Sequence, residues 1–437
     1  MNLDDAIRLM LETFGEKTLE NELIDIGNAL GRVLGEDIIS PVDVPPFDRS
    51  AMDGYAIKSA ESISSSQSNP AVLRVRGVGE AGEAFRGEVG TGECVEVYTG
   101  APMPAGTDAV VMAEDCKRID DSVHVYRAIP KFANVSLRGE DVHADEQALD
   151  AGQELRPWHI GTVASIGVGS VNVRRKVVAG VVATGSELMD ARDLKGRAGS
   201  KGRRRGSRGA DEGGIFDSTK PTIMALLREL GCEVIDCGAV EDDLNAISWR
   251  LRQIKAKGAD IIISTGGSSV GMKDLVPEAL ALLPEPGRKK SDRETGTPER
   301  MIFHGLAIKP GKPTGLGALE GTPVFMLPGY PVSALIGFEA VVAPLICRWS
   351  GRKAPARKKG RAIMTRRVAT TPGVRHYLRV KLIEEKEEEK EKIPKAVPLP
   401  LSGSALLSSF ARADGIVVIP ENVEGVEEGE EIEVEYL

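Results

Sequence analysis

The run Asp260-Ile-Ile-Ile-Ser264 reads as a buried strand, and it leads into Thr265-Gly266-Gly267-Ser268-Ser269-Val-Gly271. Glycines let backbone N–H groups approach a ligand closely, and a helix start after such a loop favours anions. The pattern suits a phosphate cradle, but it has neither the Gly-Lys-Ser ending of a P-loop nor a GxGxxG spacing. A tight structural turn is the plain alternative. A second frame is Ala307-Ile-Lys309-Pro-Gly-Lys312-Pro313. Two prolines stiffen it, so Lys309 and Lys312 are presented with little entropic loss, as point charges suited to a tetrahedral oxyanion.

Carboxylates stand at comparable strand-to-loop positions: Glu187, Asp217, Asp242, Asp243 and Asp274, with Asp53 and Asp141 nearer the start of the chain. Lysines with several carboxylates suit a phosphate ligand held through Mg²⁺, which prefers oxygen donors and retained waters. Asp217 and Asp274 also fit helix caps, and Asp53 a turn before Gly54. Other templates fail: there is no GxSxG elbow and no HExxH. The five histidines share no ligand spacing and read as surface or packing residues. The five cysteines include no CxxC and read as reduced thiols.

The net charge of -9 disfavours a nucleic-acid partner, although two or three converging cations suffice for a small anion. The opening MNLDDAIRLM carries no signal-peptide pattern. No apolar stretch of membrane-crossing length is expected, so the reading is cytoplasmic, with no membrane partner.

The elements that must position these residues change along the chain. Residues 3–14 and 21–34 read as helices. From 45 to 135, short β-like runs separated by glycine-rich turns predict a small β domain. From 176, strands and helices alternate: strands at 177–183, 232–240, 260–264, 305–308 and 324–327, helices at 217–230, 243–257, 274–283 and 332–350. That alternation predicts a mostly parallel sheet covered on both faces, with ligands at the carboxyl ends of its strands. β-like runs return at 360–365, 377–383, 415–419 and 432–436. Glu384–Lys392 reads as a hairpin tip. Residues 192–214, with eight basic side chains, and 284–300 read as inserted loops.

One set of motifs, in order along nearly the whole chain, resembles the molybdopterin molybdenumtransferase family, which includes bacterial and archaeal MoeA and the E-domain of gephyrin. It comprises Pro45 to Ala56 (PPFDRSAMDGYA), Tyr98 to Pro102, Arg138-Gly139-Glu140-Asp141, Thr184-Gly185-Ser186-Glu187-Leu188, Ser264 to Gly271, Ala307 to Pro313, and Leu327-Pro328-Gly329-Tyr330-Pro331-Val332-Ser333. The resemblance implies a multidomain α/β plus β protein with a MogA-like parallel α/β molybdopterin-binding domain. Its domains would be an elongated helical/β domain at 1–44 and 137–174, a β-rich domain at 45–136, the α/β domain at 175–352 and a C-terminal β domain at 353–437.

The resemblance further implies a homodimer whose active site uses both subunits, and contact with the upstream adenylyltransferase. The implied reaction inserts molybdate or tungstate into adenylylated molybdopterin, releases AMP and requires Mg²⁺. It implies catalytic roles for Asp53, Asp141, Glu187, Asp242, Asp274 and Lys309. Substrate contacts fall to Thr99, Thr265, Gly266, Gly267, Ser268, Ser269, Gly271, Lys312 and Ser333, and molybdate contacts to Arg375, Arg379 and Ser404. Two positions depart from the family pattern: Gly305 stands where many members carry Arg or Lys, and Tyr330 replaces a frequent Asn. Two other readings remain open. One is a molybdopterin adenylyltransferase, against which the extra domains and Met52-Asp53-Gly54-Tyr55 argue. The other is a non-catalytic gephyrin-like scaffold, in which the lysine and carboxylate set would be idle.

Overall fold

A computed structural model describes residues 1–191, 214–266, 275–282, 301–384, 393–400 and 407–437. The insertions at 192–213 and 283–300, and the predicted hairpin tip at 385–392, lie outside them. The chain forms two compact units, Asn21–Val173 and Met1–Glu20 with Arg174–Leu437.

In the Asn21–Val173 unit, a six-stranded mixed sheet runs in the order Ala109–Met112, Gly54–Ile57, Glu93–Val97, Ala71–Gly79, Ser122–Val125, Cys116–Ile119. Its strands carry alternating or fully buried Val, Ile and Ala, as expected of a chain short of aromatic residues. A separate apolar core around Leu34, Leu155, Ile166 and Val173 packs the helix Pro157–Ser165. The helix expected at 21–34 is corrected: Asn21–Asp25 is a strand paired with Ser170–Arg174, followed by one 3-10 turn at Ile26–Asn28. The helical spacing of its apolar residues gives way to a pairing with a distant segment, and Leu23 is left exposed.

In the other unit, the central sheet runs Glu233–Val240, Val178–Thr184, Ile261–Thr265, Thr322–Leu327, Gly315–Leu319, Met301–His304. The first four strands are parallel and the Gly315–Leu319 strand is antiparallel to both of its neighbours. The continuous apolar run at 178–184 is buried almost throughout because helices cover both faces. The strand expected at 305–308 is corrected. The central sheet takes Met301–His304 instead, and Ile308–Lys309 pairs in parallel with Arg375–Ile383, a strand of the C-terminal barrel. That barrel closes through Arg375–Ile383, Lys395–Pro398, Lys359–Met364, Glu431–Tyr436 and Gly415–Ile419, the last returning to the first.

Pro331–Ser350, 20 residues, is long and apolar enough to cross a membrane despite Glu339 and Arg348. It is the central core helix, with a π-helical stretch at Phe338–Val342, and Phe338 and Trp349 are 1% exposed.

Leu3–Phe14 forms a helix as expected, and its Leu3, Met10 and Phe14 join the same core. Beside it, Asp260 accepts from Arg175 at 2.6 and 2.8 Å, Lys17 at 2.8 Å and the Val178 N–H at 2.9 Å. Burial alone would raise this carboxyl, but the hydrogen bonds from Arg175, Lys17 and Val178 override it and hold the pKa near about 2, below the ordinary 3.8. A depressed carboxyl contributes stability above its unfolded pKa and loses it as pH falls through the folded one. Asp260→Asn is therefore expected to cost about 2 kcal/mol near neutral pH. Its urea stability should also fall less steeply than that of the wild type below about pH 4. Equal acid slopes for the two proteins would remove Asp260 from the account.

Candidate functional site

The carboxyl ends of the central strands are tied together by short-range bonds. Thr184 ends its strand, and its Oγ1 lies 3.5 Å from the Thr265 carbonyl. Gly185 N–H donates to Val240 O at 3.1 Å. Beyond these ends, Ser186 N–H faces Asp242 Oδ2 at 3.4 Å while Asp242 N–H faces Ser186 Oγ at 3.3 Å. The loops carrying Glu187 and Asp242 are thus locked to each other. Asp242 is exposed and Glu187 is half-buried.

Asp217 is a helix cap: its Oδ1 accepts from Thr219 N–H at 3.1 Å and Lys220 N–H at 3.0 Å. Thr219 Oγ1 in turn donates to Gly329 O at 2.6 Å, which fixes the loop after the Thr322–Leu327 strand. Gly266 has a φ of +89°, and a Cβ there would lie 2.3 Å from Thr184 O. Its N–H is engaged with Leu327 O at 3.0 Å, and Thr265 is buried. Tyr330, 59% exposed, tops the same corner. Gly267, Ser268, Ser269, Gly271, Asp274 and Ser404 lie outside the described residues.

The lysine frame is a closed loop. Leu306 N–H donates to Lys312 O at 2.8 Å, and Gly311 O accepts from both Thr314 N–H and Thr314 Oγ1. The Lys309–Pro310 bond is cis. Gly311, at φ +117°, packs so closely that a Cβ would meet Ile308 at 2.7 Å and Ser333 O at 3.4 Å. The loop therefore sits on the helix start that follows Gly329 and Tyr330. Lys309 and Lys312 are exposed and make no ion pair among the described residues, whereas Ser333 is buried.

Two of the candidate cations, Arg375 and Arg379, lie on the barrel strand. Arg375 is held by Glu421 at 3.0 and 3.1 Å and by Asp4 at 3.2 and 3.3 Å. Arg379 is 2% exposed; one N–H reaches Pro400 O at 3.2 Å, and Nε and Nη1 have no partner among the described residues.

In the Asn21–Val173 unit, Asp53 Oδ1 accepts from Thr99 N–H at 2.7 Å and Thr99 Oγ1 at 2.8 Å. Those bonds hold its carboxyl below the ordinary range, so it is charged at neutral pH. Within Arg138 to Asp141, Arg138 pairs with Asp43, and Glu140 accepts from Ser136 and from Leu137 N–H. Asp141 is exposed, with no side-chain bond among the described residues.

Thr219 and His376 escaped the sequence reading. His376 is 4% exposed, and its Nε2 accepts from Thr371 N–H at 3.1 Å. Burial, then the nearby Lys309 ammonium, lowers its pKa. The alternation His376, Leu378, Val380 on a strand was the available signal for an inward-facing ring. Among the described residues, no three His, Cys, Asp or Glu side chains form a metal cluster. An exposed Asp242 offers the hard oxygen donor that Mg²⁺ takes alongside retained waters.

Fold and site together describe a multidomain protein whose parallel α/β domain gathers carboxylates and an adjoining lysine loop at its strand ends. Three family models match in succession: the MoeA N-terminal region (domain I and II) at residues 1–167, a probable molybdopterin binding domain at 180–348, and the MoeA C-terminal region (domain IV) at 361–437. The chain is 32% identical to the molybdopterin molybdenumtransferase of Haemophilus influenzae, covering 100% of this chain and 98% of that one. It is 31% identical to a molybdopterin biosynthesis protein of Methanocaldococcus jannaschii over the same shares. A crystal structure of a molybdopterin biosynthesis MoeA protein from Pyrococcus horikoshii superposes with a TM-score of 0.76 at 31% identity, covering 100% of this chain and 98% of that one. The chain belongs to the MoeA family of molybdopterin molybdenumtransferases.

Proposed function

We propose that this chain inserts molybdate or tungstate into adenylylated molybdopterin and releases AMP, a step of molybdenum cofactor biosynthesis. The observation that carries the reading is the closed loop of Lys309 and Lys312, seated on the helix start beside Gly329 and the Glu187–Asp242 corner. A dianion needs cations already in position, and a proline-stiffened frame with an internal hydrogen bond supplies them with little ordering cost.

In this reading Lys309 and Lys312 neutralise the oxyanion. The loop beyond Gly266 takes the pterin phosphate, and Asp242 with Asp274 would hold Mg²⁺. When bound, that ion neutralises the pyrophosphate whose anhydride bond breaks as AMP leaves. Glu187 completes the carboxylate set of this unit, while Asp141 and Asp53, the latter held in place by Thr99, belong to the Asn21–Val173 unit. Arg379, buried with two guanidinium nitrogens unpartnered among the described residues, is a better molybdate contact than Arg375, whose charge is already matched by two carboxylates. Full-length relatives named as molybdenumtransferases do not favour the adenylyltransferase alternative.

The four-domain division at 45, 137, 175 and 353 belongs to the same proposal. It is supported by separate apolar cores, although the Leu3–Phe14 helix, given to the first domain, packs instead on the α/β core. A cytoplasmic homodimer is likewise proposed; sedimentation as a single chain would remove the dimer.

The test is a single turnover with purified protein, Mg²⁺ and adenylylated molybdopterin, adding molybdate or tungstate separately. Oxyanion-dependent AMP release with active cofactor formed is expected. No AMP from folded protein would overturn the reading, and ATP consumption would move it to adenylyl transfer.

A further inference from the structure

Lys309 does not stand alone on its loop. It is the second residue of a two-residue strand that enters the C-terminal barrel in parallel, Ile308 opposite Arg375 and Lys309 opposite His376. Residues in register on neighbouring strands project to the same face. Arg375 N–H donates to Ala307 O at 2.9 Å, so the barrel strand grips the lysine loop at its root.

The next link is the imidazole. The turn Thr371–Val374 is pinned elsewhere: Gly373 N–H to Glu421 O at 2.8 Å, Thr370 N–H to Glu424 O at 3.0 Å and Thr370 Oγ1 to Val423 O at 2.7 Å. Thr371 N–H to His376 Nε2 is the side-chain bond that joins this turn to the strand edge bearing Lys309. Nε2 can accept only when it carries no proton, so the buried ring is neutral in this arrangement.

We propose that His376 is a positioning residue for Lys309: by accepting from the Thr371 N–H, its imidazole holds the barrel edge on which the lysine rides and so sets the affinity for the oxyanion. The inference rests on the reading of Lys309 as an oxyanion contact. It assigns a role to a histidine whose sequence context suggested only packing. Losing the acceptor leaves a backbone N–H unpaired beside the pairing that fixes Lys309, and small displacements at such a contact cost affinity more than chemistry.

Two variants of the full chain separate the acceptor from the ring's volume. His376→Gln places an oxygen at about the reach of Nε2, and His376→Phe fills the space with no acceptor. Titration calorimetry with molybdate alone, and the KM for molybdate in the AMP-release assay, are the readouts. His376→Phe is expected to weaken molybdate binding and raise its KM about tenfold, with kcat at saturating molybdate within about twofold of wild type. His376→Gln should stay within about threefold of wild type in all three. Two folded variants that both bind like wild type, or that both lose binding equally, overturn the proposal. Lys309→Ala is run beside them: if it binds molybdate as wild type does, the oxyanion reading falls, and this inference with it. If Lys309→Ala loses binding while His376→Phe keeps it, only the inference falls.

Discussion

Lys309→Ala is expected to lower molybdate-dependent AMP release by about 100- to 1000-fold, the range seen when a fixed donor to a developing or bound anion is removed. The side chain is exposed and makes no ion pair among the described residues, so its loss leaves no partner stranded. The frame around it is backbone: Leu306 N–H to Lys312 O and Thr314 N–H to Gly311 O. The variant should therefore melt within a few degrees of wild type. Lys309→Arg should recover only part of the loss, because a planar fork does not place its charge where a compact ammonium does. A folded Lys309→Ala protein with full turnover would transfer the oxyanion role to another cation, Arg379 first.

Gly266→Ala is the second large effect, and it acts on the fold as well as the site. At φ +89° an alanine is strained, and its Cβ would lie 2.3 Å from the backbone oxygen of Thr184. A backbone atom inside a four-strand parallel ladder cannot move aside as a flexible side chain can. A loss of about 3 kcal/mol or more in urea denaturation is expected. Turnover should fall further than stability explains, since the strand ends carrying Thr184 and Leu327 must separate. Activity unchanged in the folded fraction would place the substrate away from this corner.

How far the sequence predicted these elements depended on how local their causes are. The helix at 3–14 was legible because its apolar spacing, Asn2 cap and terminal Gly15 are all local. The Val178–Thr184 strand was legible because burial on both faces leaves a continuous apolar run. Asn21–Asp25 was misread as a helix because its partner strand begins at Ser170, and no periodicity carries that information. The same limit hid the transfer of Ile308–Lys309 from the central sheet to the barrel.

In the site, Gly266 and the proline-framed lysines were legible because their backbone needs select residue types. The cap at Asp217 was legible for the same reason. Thr219 and His376 were not, because a threonine that holds a distant carbonyl and a histidine that braces a neighbouring turn look like any other Thr and His until the chain is folded.

The Lys309 strand has a consequence for how such a protein can be cut and recombined. The polypeptide visits the C-terminal barrel twice: briefly at Ile308–Lys309, then for good from Lys359. An α/β domain excised before residue 353 would keep every letter of the lysine motif while losing the strand that holds it. The sequence motif is portable and its geometry is not. Transplanting the α/β domain alone would carry over the text of the proposed oxyanion site without the scaffold that holds its lysine strand, and exchange between relatives has to move the barrel together with the loop it grips.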